Sequence, residues 1–300
     1  MRFKQHLPMT KINTEHQLML LCNRNKDGSF STQAARRNIL SQVGRQLVEL
    51  GFYNLPVTGL KQRHIVKLLE RWRSDDCSDA TLKNRMSHLR WVCEKINKQN
   101  LIPSTNAELG IGRRKYVTNI SKAVQVSDDA LRLIKDDRVR MSLELQEAFG
   151  LRRAEAIKFQ PAYAMSGDAD KIMLKATWCK GGRARALKIT NENQRAVLAR
   201  AAELAGPGSL IPKESTYKEQ LKRYENETNR LGLHKLHGLR HAFAQQRYEE
   251  LTGWKAPACG GPKLRQLTPE QKKIDLAARL QISEELGHSR EAITAVYLGR

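Results

Sequence analysis

Between residues 101 and 126 the helical hydrophobic spacing of the preceding residues stops. Pro103, Gly110, Gly112 and the basic run Arg113-Arg114-Lys115 fill the interval, and Ser127 then opens a new helical pattern with Asp128 and Asp129 in its first turn. Proline and glycine at this density break both helix and strand, so apolar stripes on either side cannot belong to one continuous bundle. The chain is expected to divide. Residues 1–30, mixed and weakly patterned, read as an arm or flexible segment; 31–115 as a helical domain; 116–124 as a linker; and 125–300 as a second, larger domain.

Before the break the pattern is helical throughout. Ser31 is placed to cap a helix carrying Ile39, Val43, Leu47 and Leu50 and ended by Gly51. Leu60 to Trp72 repeats the spacing with Ile65, Leu68, Leu69 and Trp72. A third helix, capped by Ser78 or Asp79, aligns Leu82, Met86, Leu89, Val92, Cys93 and Ile96, with Lys83, Arg85, Arg90 and Lys95 on its polar side. After the break the pattern is mixed. Two short strands, 171–176 and 185–190, flank a glycine-tipped turn, helices are expected near 191–205, 215–231 and 238–252, and Thr268-Pro269-Glu270-Gln271 reads as a capped start.

Charge narrows the partners. Fifty-three Lys and Arg against 31 Asp and Glu leave a net +22. Residues 1–120 hold 21 basic and 9 acidic side chains, and the remainder hold 32 and 22, so no single cationic tail accounts for the excess. A surplus spread over both halves suits a protein that encloses a polyanion, since each neutralised phosphate releases counterions. Lys83, Arg85, Arg90, Arg113, Arg114, Lys115, Arg183 and Arg185 are the expected DNA contacts; a merely solvated basic face is the plainer reading. No apolar run approaches the ~20 residues of a membrane span. Nothing at the amino end resembles a secretory signal, so the expectation is a soluble cytoplasmic protein, on the nucleoid when bound to DNA. Five scattered cysteines with no CxxC spacing argue against a disulfide framework and a cysteine-rich zinc site. His234, His237 and His241 lack the carboxylate or thiol that would complete a metal site.

Three segments carry chemistry. They are Phe149 to Glu155, Leu236 to His241, and Leu286-Gly287-His288 followed nine residues later by Tyr297; the hairpin bearing Lys180 lies between the first two. Phosphodiester cleavage needs such groups. Arginines from separate segments clamp the non-bridging oxygens, and a histidine donates to the phosphate or moves a proton near neutral pH. Tyrosine, with pKa about 10, is a competent nucleophile only in a cationic pocket or beside a base. No acidic cluster suggests a metal and no glycine-rich loop suggests ATP, so no cofactor is expected.

In these segments the sequence resembles the tyrosine recombinases, or phage-type integrases. The G-L-R-x-x-E box matches Gly150 to Glu155, the K-G-x-K/R-x-R hairpin Lys180 to Arg185, the H-x-x-R box His237 to Arg240, and the L-G-H box Leu286 to His288. The resemblance implies catalytic Arg152, Lys180 (the general acid), His237, Arg240, His288 and the nucleophile Tyr297. Glu155 reads as structural, orienting Arg152; Tyr248, the nearest rival to Tyr297, reads as a packed aromatic. The implied fold is mainly α: a helical core-binding domain and a mixed α/β catalytic domain with a small sheet, clamped around DNA. The implied activity is site-specific recombination through a 3′-phosphotyrosine, for a phage or mobile element, by a tetramer on paired sites in double-stranded DNA. Type IB topoisomerase-like relaxation, or a catalytically silent DNA-binding protein of this fold, are the alternatives. Two departures stand out. Arg240 and His288 lie 48 residues apart, far more than in simple family members, with the excess around 253–280. That insertion is left open as a DNA contact, a protomer contact or a surface loop. The sequence also stops three residues after Tyr297, where many relatives continue into a segment that docks on a neighbour.

Overall fold

The computed structural model describes residues 13–113, 116–288 and 290–300. The chain forms two compact units, one through residue 115 and one from residue 116.

Among the described residues the first unit has four α-helices: α1 (Thr14–Arg24), α2 (Phe30–Glu49), α3 (Gln62–Ser74) and α4 (Asp79–Lys95). The last follows its apolar stripe, with Leu82, Met86, Leu89, Val92 and Cys93 buried and the Ser78 side chain accepting from the Thr81 N–H. The start of α2 differs from expectation: Ser29, not Ser31, caps it, accepting from the Thr32 N–H. The expected arm also differs. From Thr14 it is a helix, with Thr14, Leu18 and Cys22 buried at i, i+4 and i+8. It crosses α2 at Gly44, where an added Cβ would sit 2.5 Å from the Glu15 Cα. A mid-helix glycine costs about 1 kcal/mol relative to alanine, and close backbone approach is what it permits here. Residues 1–12 of that arm lie outside the described residues, as do Arg114 and Lys115. Ile102 and Ile111 are buried in this same core, so most of the aperiodic stretch belongs to the first unit.

The second unit runs α5 (Asp128–Arg132), α6 (Asp137–Phe149), α7 (Arg153–Ile157), α8 (Pro161–Ala164), β1 (Lys171–Leu174), β2 (Arg185–Lys188), α9 (Glu192–Ala205), α10 (Tyr217–Arg230), α11 (Gly238–Thr252), α12 (Pro269–Glu285) and α13 (Glu291–Leu298). The strands pair antiparallel, Lys171 opposite Lys188 and Leu174 opposite Arg185. Alternation sends Leu187 inward, and Arg185 shares its face. Helix α6 packs on α7, α9 and α11, while α12 packs on α11, α13 and β2. Residues 116–124 are not a free linker. Val124 donates its N–H to the Gly238 carbonyl at 3.1 Å, and Asn119 accepts from the Arg300 N–H at 2.9 Å.

The 253–268 excursion has its own anchors. Gly253 ends α11 in the left-handed conformation, and Ala256, Pro257, Ala258 and Leu267 are buried. Its 3-10 turn at 257–259 packs against α13. Thr268 and Gln271 form the expected reciprocal cap of α12, with Pro269 at its first position. Among the described residues no helix is long and apolar enough to cross a membrane.

Candidate active site

The last carbonyls of a helix lack intrahelical donors and carry the negative end of its dipole. At α12 those carbonyls gather arginines. Glu285 O accepts from Arg185 Nε at 3.0 Å, and Leu286 O accepts from Arg152 Nη2 at 3.3 Å and from Arg240 Nη2. Leu286 is fully buried, and Gly287 turns the chain away in the left-handed conformation. The L-G-H box is thus an anchor, a turn and a side chain for the site.

Arg152 reaches this point through a forced break in the chain. Gly150 ends α6 at φ +59°, where a Cβ would lie 2.5 Å from the Phe243 ring. Leu151 is buried, and Arg152 stands at the cap position of α7. Glu155, three residues on and 0% exposed, accepts from the Arg152 N–H at 2.9 Å and from Arg152 Nη1 at 2.7 Å. Arg185 holds the same carboxylate with two bonds of 3.0 and 2.8 Å. Burial opposes the charge on Glu155, but the bonds and charge of Arg185, then those of Arg152, outweigh it and hold the carboxyl at about 2. The carboxylate therefore stays ionised and orients two arginines.

On α11, His237 is the cap residue and Gly238 is pressed against Val124, whose Cγ2 would lie 2.4 Å from an added Cβ. One turn in, Arg240 is 1% exposed. Its Nη1 donates to Gly150 O at 2.5 Å and its Nε to the Tyr297 hydroxyl at 3.3 Å. Burial lowers Arg240 to about 10, partly countered by Tyr297, so it remains a cation at neutral pH.

Tyr297 lies buried near the end of α13, its hydroxyl 3.5 Å from His288 Nε2. Burial, and then Arg240, Arg152 and Arg185, push His288 down to about 4. A neutral imidazole whose proton sits on Nδ1 presents Nε2 as an acceptor to that hydroxyl. The His241 ring also lies against Tyr297, centres 4.7 Å apart with the planes tilted by 50°, and is likewise pushed to about 4 by burial and by His237, Lys122 and Arg240. His237 is exposed, 6.1 Å ring to ring from Tyr297; desolvation and then Arg240, Arg152 and Lys180 lower it. The rival Tyr248 is tied elsewhere, donating to Asp275 at 2.5 Å. Burial and that carboxylate raise it to about 12, a poor nucleophile.

Arg152, Arg240, His288, Tyr297 and His237 therefore converge. Lys180 and Arg183 are exposed on the 175–184 connection, Lys180 near enough to act on His237. Arg185, expected on DNA, is instead turned into the site behind Arg152, its side chain 8% exposed and also donating to Cys179 Sγ. On α4 the expected contacts are engaged within their own unit. Arg90 donates to Pro103 O, Thr105 O and Asn106, while the Arg85 guanidinium lies 5.0 Å from the Trp72 ring centre. Lys83 is half-buried and Arg113 exposed. Sequence reasoning missed Gln245, whose Nε2 donates to Tyr297 O at 2.9 Å. The i, i+4 series His237, His241, Gln245 along one face of α11 was the available signal.

Comparison with known proteins bears on the family and the fold. The family model described as phage integrase, N-terminal, matches residues 9–102, and the one described as integrase matches 112–246. No curated protein matches in sequence. Among solved structures, the chain is similar to the XerH site-specific recombinase bound to its difH substrate (TM-score 0.54, 16% identity, 94% of this chain and 80% of that one). It is also similar to a lambda integrase dimer bound to a COC′ core site (0.59, 14%, 99% and 83%). The Tn1549 transposon integrase in complex with circular-intermediate DNA resembles it as well (0.50, 12%, 96% and 96%).

Proposed function

The chain belongs to the phage-type integrases, the tyrosine recombinases, and from that premise we propose that it cuts and rejoins DNA at specific sites through Tyr297. The observation that carries the assignment is the Tyr297 hydroxyl, within reach of both Arg240 Nε and His288 Nε2.

The chemistry follows from which donors are already used. A guanidinium has five N–H groups. Arg240 spends one each on Gly150 O, Leu286 O and Tyr297, and Arg152 spends two on Glu155 and Leu286 O. The unspent donors of both can take the non-bridging oxygens of a phosphodiester, answering the charge that builds in the transition state. Tyr297 attacks phosphorus as His288 Nε2 receives the phenol proton. The P–O5′ bond breaks, Lys180 protonates the leaving oxygen, and a 3′-phosphotyrosine and a free 5′ hydroxyl result. His237 donates to the same phosphate. Attack by a 5′ hydroxyl from a second duplex reverses the step and joins new partners. The ester keeps the bond energy, so rejoining consumes no nucleotide.

The partner in this reading is double-stranded DNA with paired sites, consistent with the net +22 and with the DNA in the XerH and lambda integrase structures. The first unit grips the duplex, four protomers assemble on two sites, and the protein works on the nucleoid of a cell that carries a phage or mobile element. The test is covalent trapping. Wild-type chain and Tyr297→Phe are incubated with DNA from the neighbourhood of the gene, and adducts that survive SDS are mapped. Adducts at discrete sites with wild type, and DNA binding without adducts with Tyr297→Phe, are expected. Equal binding by both with adducts from neither would overturn the nucleophile. Adducts scattered over any supercoiled DNA, with relaxation, would make it a topoisomerase.

A further inference from the structure

Resting on the Tyr297 reading, we infer that Gln245 is a positioning residue, and that residues 119–124 form a strap that fixes it and the nucleophile helix together. Tyr297 lies in the last turn of α13, so its carbonyl has no partner within the helix and is buried. Gln245 Nε2 supplies the donor at 2.9 Å. Its amide orientation is dictated by its neighbours, since a carbonyl can only accept. The amide oxygen then receives Ser121 Oγ at 2.9 Å and Cys259 Sγ at 3.0 Å. One buried amide thus joins three segments: the strap, the 253–268 excursion and the nucleophile's main chain.

The strap holds the same helix a second time. Asn119 Oδ1 accepts from the Arg300 N–H at 2.9 Å and lies 2.6 Å from where a Cβ on Gly299 would sit. Farther along, Val124 donates to Gly238 O at the start of the helix that carries Arg240. From the other side Arg279, paired with Asp275, donates to Gly299 O at 3.0 Å. Strap bonds therefore touch both helices whose side chains meet at the Tyr297 hydroxyl. This strap is also where the chain enters the catalytic unit after the first unit ends at residue 115. The 253–268 excursion acquires a role in the same way, as the third support of Gln245 rather than a loop without function.

The test uses the full chain. Gln245→Met keeps the size of the side chain but loses donor and acceptor; Gln245→Glu keeps the acceptor and loses the donor. Single-turnover adduct formation on the DNA site mapped with wild type should fall ~100-fold in both, the scale of a nucleophile displaced by about 1 Å. DNA affinity should be unchanged, and hydrogen exchange of residues 291–300 in the DNA-free chain should quicken. Ser121→Ala should slow adduct formation in the wild-type background and add nothing in Gln245→Met, because it acts through Gln245. Wild-type adduct rates in Gln245→Met, unchanged exchange, or an equal Ser121→Ala cost in both backgrounds would overturn the inference alone. A wild type that forms no adduct overturns the nucleophile reading and this inference with it.

Discussion

Both units bury arginines, yet they use them oppositely. In the first unit Arg36 lies 4.0 Å above the Trp91 ring and pairs with Asp27, Arg85 lies near Trp72, and Arg90 spends its donors on the loop at 103–106. These guanidinium faces and stems serve as covers for the core, and Arg90's donors are spent inside the unit. In the second unit Arg152, Arg185 and Arg240 are held by backbone carbonyls at the end of α12 and by the single carboxylate of Glu155. Carbonyls fix a guanidinium without neutralising it. Three cations against one anion leave a charge surplus beside Tyr297, and several N–H groups remain unspent. Burial of an arginine is therefore no sign of function, and neither is an unspent donor, since Arg36 Nε and Arg85 Nη1 also go unpaired; the gathering of guanidiniums beside the Tyr297 hydroxyl is.

The sharpest break of this contrast lies within one hairpin. Arg183 and Arg185 are two residues apart, one exposed and one turned inward. Arg185→Ala strips the fully buried Glu155 of a partner that holds both its oxygens and should cost about 3–5 kcal/mol. Arg183→Ala should change stability by less than about 0.5 kcal/mol but lower the slope of log affinity against log salt by about 1. Denaturant melts and salt titrations of DNA binding on both variants check this. The reverse assignment of effects would erase the distinction between held and free arginines.

A smaller effect tests the first unit. Arg36→Met and Arg90→Met keep an apolar stem. Removing the cation over Trp91, or the donors to the 103–106 loop, should cost about 1–2 kcal/mol each. Neither should change the salt slope of DNA binding. A slope reduced by either substitution would put that arginine on phosphate, and for Arg90 it would return α4 to its expected role as a DNA contact face.

These cases also mark what the sequence could and could not say. The helical stripes of α2 to α4 and the caps at Ser78, Ser127 and Thr268 were legible because 3.6-residue spacing and cap chemistry are local. The boxes named the side chains that converge because they lie at fixed positions around breaks such as Gly150 and Gly287. Helix α1 was hidden by its brevity, although Gly44 in the middle of α2 carried a hint of close approach. The carbonyls of Gly150 and Leu286, which orient Arg240 and Arg152, have no side-chain signature at all. Arg185 was misassigned because motif matching treats every basic residue of the hairpin alike. Strand alternation, which puts it on the face of Leu187, was the overlooked cue.

The smallest expected effect concerns protons, and it separates the units once more. His241 is buried and His288 half-buried, each pushed to about 4 with arginines among the causes. His64 and His88 in the first unit are lowered too, by burial first and then by Arg63 and Lys61, or by Arg36. An imidazole whose folded pKa lies below its unfolded value of about 6.5 favours the native state while neutral. Its contribution is complete above pH 6.5 and is lost as pH falls toward 4, so for His241 the step from pH 7 to 5 costs on the order of 1 kcal/mol. All four groups share this sign in the free chain. DNA distinguishes them, because a phosphate held by Arg152 and Arg240 places negative charge beside His241 and His288 and not inside the first core. Imidazole resonances followed from pH 7.5 to 4.5 should show His241 and His288 neutral at pH 5.5 without DNA and shifted upward with it, while His64 and His88 stay put. Equal upward shifts in all four would mean that the duplex changes both units alike, and the division between covering and working arginines would not extend to their histidines.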